Sequence, residues 1–347
     1  MPDPARPTLR SAAALITAGL APAGEAAALD AVGATYAIAI PPTLAALIAQ
    51  PDDPIGRQFI PSAAELATAP HERPDPIGDE ALSPLKGIVH RYPDRVLLKP
   101  LLACPVYCRF CFRREQVGPD GGVLSESELA AAIGWIEAHP AIREVILTGG
   151  EPLMLAPRRL RALLAALASI PHVETLRLHT RFPIACPERV TTALASALAT
   201  EKPLFLVIHA NHAREFGAAA RAALGRFSRN NIPLLGQSVL LRGVNDSAAA
   251  LEALFRAMLS ARIKPYYLHQ LDPAPGTARF HVPIAEGQRL MAGLRGRISG
   301  LALPTYILDI PGGFGKVPIG SGYLGPDGEV RDPWGRRHRL APNGASV

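Results

Sequence analysis

The most constraining feature of the sequence is an alternation that begins near residue 94, in which short apolar segments separate longer amphipathic ones. The short segments are rich in Val, Ile and Leu and predict buried strands, whereas the longer ones repeat their apolar residues at helical spacing. In the clearest case, one helical face carries Leu160, Leu163, Leu164 and Leu167. Strands that alternate with helices predict an α/β fold with a parallel sheet.

The predicted strands are 95–99, 144–148, 175–179, 204–208, 234–241 and 265–270, followed by a last strand at 304–309. The helices predicted between them lie near 125–138, 157–169, 187–199, 212–229, 246–261 and 285–298. Residues 1–90 predict short helices at 11–20, 24–33, 43–50 and 62–68, then a proline-rich linker at 70–79. Six strand–helix units either curve into part of a barrel or form a doubly wound sheet, and the pattern leaves both open.

Three of the four cysteines, Cys104, Cys108 and Cys111, lie within eight positions. Three thiolates at this spacing can each bind one iron of a [4Fe–4S] cluster and leave the fourth iron open to another ligand. A disulfide and a structural zinc site are the alternatives. Cysteine is scarce in the chain, and zinc needs a fourth ligand, for which Cys186 lies far along the sequence. The spacing therefore favours a cluster.

Composition adds limits on location and partners. Hydrophobic residues make up 48% of the 347, enough for a sizeable core, and no apolar run reaches the roughly 18 residues that span a bilayer. The net charge of +6 permits nucleic-acid binding, but the arginines are spread along the helices, which favours a solvated surface instead. An iron–sulfur cluster needs a reducing compartment, so we expect a cytoplasmic protein without a membrane segment.

Polar residues and glycines follow several predicted strands, at the edge where parallel sheets bind ligands. They are Gly149, Gly150, Glu151, His179, Arg181, His209, His212 and Gln237. Farther along, a glycine-rich loop ends at Lys316, a residue type that can form a Schiff base with an aldehyde cofactor. Taken alone, such a Gly-Gly pair is more often an ordinary turn, and Lys316 more often an exposed turn residue.

The cysteine spacing resembles the signature of the radical S-adenosyl-L-methionine (SAM) enzymes. Further blocks stand in the order found in the lysine 2,3-aminomutase family: His90-Arg-Tyr-Pro-Asp-Arg95, the cysteine motif with Arg113, 236–246, 265–272, 293–296 and the Lys316 loop. The resemblance covers roughly residues 85–325. It implies a radical SAM partial (β/α)6 barrel whose cluster loop follows the first strand. We divide the chain into an N-terminal helical extension (1–90), a barrel core (91–300) and a short C-terminal segment (301–347).

The same resemblance implies a role for each site residue. The metal ligands are Cys104, Cys108 and Cys111, and the SAM-binding residues are Gly149, Gly150, Glu151, His209 and Gln237. Lys316 is the catalytic lysine that binds pyridoxal 5′-phosphate (PLP). The ligands of the PLP phosphate are Arg91, Tyr92 and Arg95. For both arginines, a surface salt bridge with Asp94 is the alternative. Arg113 would bind the substrate α-carboxylate, and two carboxylates, Asp272 and Asp309, would bind the ε-ammonium of lysine.

The activity implied is that of an isomerase, an aminomutase that moves the α-amino group of L-lysine to Cβ through a 5′-deoxyadenosyl radical and yields β-lysine. An electron donor such as flavodoxin or ferredoxin is expected, and a homo-oligomer is left open. The chain carries no cysteines in its C-terminal tail, so we expect no zinc. It departs from the family at Glu151, which replaces the usual aspartate, and at Phe314, which interrupts the glycine run.

Two other functions stay open at this point. One is the related aminomutase that supplies β-lysine for the modification of elongation factor P. The other, suggested by the sequence pI of about 9.3, is a radical SAM protein that modifies RNA.

Overall fold

A computed structural model describes residues 7–323, 325 and 329–339. Its main feature is a nine-stranded sheet whose strands follow one another in chain order. The strands are β1 (Ile88–Tyr92), β2 (Arg95–Leu101), β3 (Glu144–Gly149), β4 (Thr175–Thr180), β5 (Leu204–His209), β6 (Leu234–Val239), β7 (Ile263–His269), β8 (Thr305–Ile310) and β9 (Gly315–Pro318). Strands β2 to β8 are all parallel, and β1 and β9 pair antiparallel to them at the two edges.

Helices connect the parallel strands. They are α5 (Glu126–Glu137), α6 (Pro157–Ala168), α7 (Phe182–Ala185), α8 (Thr192–Ala197), α9 (Ala218–Arg229), α10 (Ala248–Ser260) and α11 (Ile284–Leu294), after α1 (Ala12–Thr17), α2 (Ala26–Thr35), α3 (Pro42–Ala45) and α4 (Gly56–Phe59). The four leucines predicted to share one face of α6 are all buried. This sequential parallel order confirms the partial (β/α)6 barrel and excludes the doubly wound sheet, whose strand order reverses at a switch point.

The two edges of the sheet come close without pairing. Among the described residues no strand ladder joins β1 to β9. Side chains bridge them instead: Arg91 Nη1 on β1 lies 3.0 Å from Asp309 Oδ1 on β8, and the Lys316 backbone N–H of β9 donates to Tyr92 Oη at 2.7 Å. The partial barrel is therefore closed on this side by residues of the predicted site.

The sequence pattern predicts neither edge strand. It predicts a linker at 70–79, where the structure shows a segment packed between the barrel and the glycine-rich loop. The Gly312 backbone N–H donates to Pro76 O at 3.1 Å, and a Cβ at Gly78, where φ is +69°, would lie 2.7 Å from Gly312 C. Glycine is required where two backbones approach this closely. The segment is thus part of the wall beside Lys316.

The N-terminal helices share the core of the barrel. Leu15, Ile40 and Phe59 belong to the same hydrophobic cluster as the strands and α6. At the other end, a small hairpin of β10 (Glu329–Arg331) and β11 (Arg337–Arg339) follows the barrel. The three-part division of the chain stays a prediction, and the end of the tail on which the zinc prediction rests, 340–347, lies outside the described residues. No helix in the described ranges is long and apolar enough to cross a membrane.

Candidate active site

The inside of the sheet encloses a cavity of about 700 Å³, within the size range of small-molecule sites. Every residue that the sequence analysis assigned to the site lines it: Arg91, Tyr92, Arg95, Cys104, Cys108, Cys111, Arg113, Gly149, Gly150, Glu151, His209, Gln237, Asp272, Asp309 and Lys316. His179 and Arg181 lie in the same wall, whereas His212 does not. Residues dispersed over more than 200 positions therefore meet at one place.

The cluster loop, which we define as residues 104–114, follows β2 and brings its three cysteines to the cavity. Burial raises the pKa of all three thiols, that of Cys111 to about 11, so each holds its proton until a metal displaces it. Three thiols at one cavity suit a [4Fe–4S] cluster, in which each cysteine binds a different iron.

A buried ion-pair group anchors the cluster loop. The Arg109 side chain is fully buried and donates from Nε and Nη2 to Glu65, with distances of 2.6 to 3.0 Å. Arg114 pairs with the same carboxylate, and Arg279 Nη2 approaches it at 3.1 Å. One carboxylate thus faces three guanidinium groups, which leaves excess positive charge beside the loop that is predicted to hold an anionic cluster. None of these four residues is predicted from the sequence to be functional.

The Gly149-Gly150 pair lets β3 approach the cluster loop. A Cβ on Gly150 would lie 2.3 Å from Ala103 O, and one on Gly149, where φ is +102°, would lie 2.7 Å from Leu101 O. The backbone N–H groups of Gly150 and Glu151 donate to these same carbonyls at 2.9 and 2.8 Å. The pair is therefore more than an ordinary turn: it is required for the junction between β3 and the cluster loop.

The Glu151 carboxylate faces β4. It accepts hydrogen bonds from Thr180 Oγ1 at 2.7 Å, from the Arg181 backbone N–H at 2.8 Å and from the Leu153 backbone N–H at 3.1 Å. Burial raises the pKa of Glu151 to about 7. The glutamate that replaces the usual aspartate is thus accommodated, with its carboxylate in the cavity wall.

Histidines of the later strands are half-buried and neutral. His209 and Gln237 are register partners on β5 and β6. Burial lowers the pKa of His209 well below its usual value, and burial followed by the Lys316 charge lowers that of His269 to about 3. The Nε2 atoms of His179 and His269 have no hydrogen-bond partner within the described chain, so two polar atoms in this wall are unsatisfied by the protein itself.

Asp79 connects two of the predicted ligand-binding arginines. Its Oδ2 accepts hydrogen bonds from Arg113 Nε and Nη2 at 2.9 and 2.7 Å, and its Oδ1 lies 3.3 Å from Arg91 Nη2. Burial alone would raise the pKa of Asp79, which is 2% exposed, but the Arg113 guanidinium outweighs it and holds the pKa below its usual range. Asp79 is not predicted from the sequence as a site residue, because it lies in the 70–79 segment, whose composition indicates a linker.

Lys316 already has a carboxylate partner. Asp309 and Lys316 are register partners on β8 and β9, and the Lys316 ammonium pairs with Asp309 Oδ2 while Arg91 occupies Oδ1. The neighbouring Phe314 ring is 79% exposed and points out of the loop, so it does not crowd the lysine. A primary ammonium therefore fits against Asp309.

Asp272 is the unpaired carboxylate of the cavity. In the described part of the chain its side chain has no hydrogen-bond donor, and burial, followed by the nearby Asp309 charge, raises its pKa to about 7. Asp272 is half-buried, and enclosing its carboxylate without a partner is costly unless a ligand supplies the opposite charge.

The predicted phosphate ligands divide into two environments. Arg95 forms the surface salt bridge with Asp94 at 2.7 Å, and its guanidinium carbon lies 3.7 Å from the Tyr92 ring centre. Arg91 does not contact Asp94; it is nearly buried and pairs with Asp79 and Asp309. The surface salt bridge with Asp94 is thus formed by Arg95 and not by Arg91, and both arginines line the cavity.

Comparison with known proteins gives one family match and several similar relatives. Residues 98–254 match the Radical SAM superfamily. A protein named L-lysine 2,3-aminomutase from Acetoanaerobium sticklandii is 38% identical over 292 residues, which cover 84% of this chain and 70% of that protein. The chain belongs to the lysine 2,3-aminomutase family of radical SAM enzymes.

Other members of the family match equally well. An L-lysine 2,3-aminomutase from Escherichia coli is 39% identical over 271 residues, which cover 78% of either chain. A glutamate 2,3-aminomutase from Clostridioides difficile is 36% identical, over 84% of this chain and 70% of its own length. The chain spans 62 to 79% of the length of the relatives it matches.

Family membership confirms that the protein is an isomerase of the radical SAM type, which uses a [4Fe–4S] cluster and SAM. It favours an aminomutase over the RNA-modifying alternative. The roles of individual residues, the use of PLP and the choice of amino acid stay predictions.

Proposed function

We propose that this protein moves the α-amino group of L-lysine to Cβ and yields β-lysine, with PLP held on Lys316. The observation that carries the proposal is the pair of carboxylates, Asp272 and Asp309, beside an ammonium in the cavity. Lys316 provides that ammonium in the structure. Asp272 has no hydrogen-bond donor among the described residues, so the ε-ammonium of lysine would bind to it together with Asp309.

The cavity wall suits the cofactors. When bound, the cluster and SAM supply a 5′-deoxyadenosyl radical, and PLP supplies a covalent hold on the migrating nitrogen. The three cysteines would hold the cluster, and the wall formed by Gly149, Gly150, Glu151, His209 and Gln237 would hold SAM. Arg91, Tyr92 and Arg95 lie in the same cavity as Lys316, and a guanidinium matches phosphate oxygens in two-point contacts.

The substrate would be bound at both ends. Arg113 uses Nε and Nη2 on Asp79, so its Nη1 is left to bind the α-carboxylate at the cluster end of the cavity. The ammonium end would bind to Asp272 and Asp309. Binding both ends fixes the position of the carbon chain between them, which is the main contribution that a protein makes to radical chemistry of this kind.

Glutamate is the second candidate substrate, because one relative is named for it. Its side chain ends in a carboxylate, which two aspartates would repel. The β-lysine supply for elongation factor P uses the same reaction on the same substrate, so it concerns the destination of the product and not the site.

The proposal is tested with anaerobically reconstituted protein that carries iron, sulfide, SAM and PLP. After reduction with dithionite it should convert L-lysine to β-lysine. Asp309→Asn should lose most of this activity, whereas Glu174→Gln, which alters an exposed ion pair with Arg143, should keep it. No β-lysine from a preparation with full cluster and PLP content would refute the proposal.

A further inference from the structure

Arg181 contacts the sulfur of one cysteine of the cluster loop. It directly follows β4, and its Nη1 donates to Cys108 Sγ at 3.3 Å. In the ranges that the structure describes, no other side chain donates a hydrogen bond to the sulfurs of Cys104, Cys108 or Cys111. The three cysteines therefore differ: one of them has a charged donor fixed against it.

The Arg181 guanidinium is held by two further hydrogen bonds and lies near two aromatic rings. Its Nη2 donates to Glu215 Oε2 and to Gln58 Oε1, each at 2.7 Å. Its central carbon lies 4.8 Å from the centre of the Phe59 ring and 5.4 Å from that of the Phe110 ring, distances at which a cation is attracted to an aromatic face. With these partners the side chain cannot swing away from Cys108 without breaking two buried hydrogen bonds.

Glu215 supplies the countercharge. It is 1% exposed, and its Oε1 accepts the backbone N–H groups of Asn211 and His212, both at 2.8 Å. Its other oxygen is the one paired with Arg181. The carboxylate therefore offsets the guanidinium charge at Nη2, while Nη1 contacts Cys108.

The network also ties the cluster loop to the N-terminal helices. Gln58 of α4 donates from Nε2 to Pro54 O at 2.9 Å and accepts from Asn211 Nδ2 at 3.1 Å through Oε1. Its backbone carbonyl accepts the Arg109 N–H at 2.8 Å, one residue after Cys108. Arg181 and Cys108 thus belong to one buried unit that includes α4 and the ends of β4 and β5.

We propose that Arg181 is a positioning residue that raises the reduction potential of the cluster, by donating a hydrogen bond and positive charge to the Cys108 thiolate. Reduction adds an electron to the cluster, so a donor at a ligand sulfur stabilises the reduced form more than the oxidised one. Glu215 has the opposite effect, because its negative charge offsets that of Arg181. The proposal rests on the cluster that the family uses and not on the choice of substrate.

The test is a redox titration of the reconstituted cluster, followed by electron paramagnetic resonance, in the absence of SAM, PLP and amino acid. Arg181→Met keeps the length of the side chain but removes the donor and the charge, so the midpoint potential should fall. Glu215→Gln leaves Arg181 uncompensated, so the midpoint potential should rise. Arg143→Met, which alters an exposed ion pair, should leave the potential unchanged.

Shifts of opposite sign are a result that general destabilisation cannot produce. An unchanged potential in Arg181→Met with full iron content would overturn the proposal, as would shifts of the same sign in both variants. If Arg181→Met retains less iron, the Glu215→Gln variant decides the question, because it keeps Arg181 and all cysteines. A midpoint potential of Glu215→Gln that does not rise would then overturn the proposal. A failure here would leave the lysine assignment intact, since no substrate is present.

Discussion

The replacement Asp272→Asn separates an ammonium site from a merely structural carboxylate. Asp272 is half-buried in the cavity wall and has no partner among the described residues, while its neighbour Asp309 is paired with Arg91 and Lys316. Asparagine keeps the size of the side chain and removes the charge. We therefore expect the variant to lose affinity for lysine and to keep its affinity for SAM.

The magnitude follows from burial. Removing one partner of a buried charge pair costs about 2–5 kcal/mol, which corresponds to a loss of affinity of roughly 30-fold to several thousandfold. The pH dependence of lysine binding is a more specific test of the role of Asp272. Because the pKa of Asp272 is about 7 in the free protein and the ammonium needs its ionised form, lysine affinity should rise about tenfold between pH 6 and pH 8. The asparagine variant should lose this dependence.

The assay is equilibrium binding of lysine to the PLP-loaded protein, followed through the PLP absorbance between pH 6 and pH 8, with SAM binding measured in parallel. His269, with a pKa of about 3, does not titrate in this range. Glu151 also has a pKa of about 7. Its carboxylate lies against β4, in the wall predicted to bind SAM, so an effect of its ionisation should appear in the SAM affinity. A variant that keeps the pH dependence, or that loses lysine and SAM affinity equally, would refute the reasoning.

The same pKa makes a prediction about stability. A carboxyl whose pKa is raised on folding lowers the free energy of unfolding as the pH rises from about 4 to about 7. Above about pH 7 the penalty has its full size, on the order of a few kcal/mol. In the absence of ligands, Asp272→Asn should therefore unfold at a higher urea concentration than the wild type at pH 8, and the gain should be smaller at pH 5.5.

Three further predictions concern other parts of the site. Borohydride reduction of the PLP-loaded protein should label Lys316 and no other lysine, as shown by peptide mapping, and label on a different lysine would contradict its role. Asp79→Asn should lower the free energy of unfolding by roughly 2–4 kcal/mol in urea titrations, because two nearly buried guanidinium groups lose their shared carboxylate. The control Glu174→Gln, in an exposed ion pair, should change the free energy of unfolding by less than about 0.5 kcal/mol. Gly150→Ala should destabilise the fold by about 2 kcal/mol or more, because the added Cβ would lie 2.3 Å from a backbone atom. As a control, Gly134→Ala lies in open space within α5 and should stabilise the fold by about 0.5–1 kcal/mol. Equal effects of the two substitutions would contradict the role of Gly150 at the β3 junction.

Much of the barrel could be predicted because its strands and helices carry local patterns. The leucine face of α6 and the apolar run of β3 are examples, since each element buries residues at a spacing set by its own geometry. The edge strands could not be predicted in this way. β1 is short and β9 begins within a glycine run, so their pairing depends on neighbours that are distant in sequence.

The site residues likewise fall into those that a local sequence pattern predicts and those that it does not. Cysteines at fixed spacing and a lysine after glycines are visible in the sequence. The partners that hold them are not, because Glu65 pairs with Arg109 across 44 positions and Glu215 with Arg181 across 34. Asp79 was hidden for a further reason: proline-rich segments are usually connections, and only the fold shows that this one is a wall of the cavity.

The most direct test of the substrate assignment is competition. Reduced, fully loaded protein is given L-lysine and L-glutamate at equal concentrations, and the β-amino acids formed are identified by mass spectrometry after derivatisation. With Asp272 and Asp309 as ammonium ligands, we predict β-lysine as the product and no detectable β-glutamate. Formation of β-glutamate in preference to β-lysine would contradict the account.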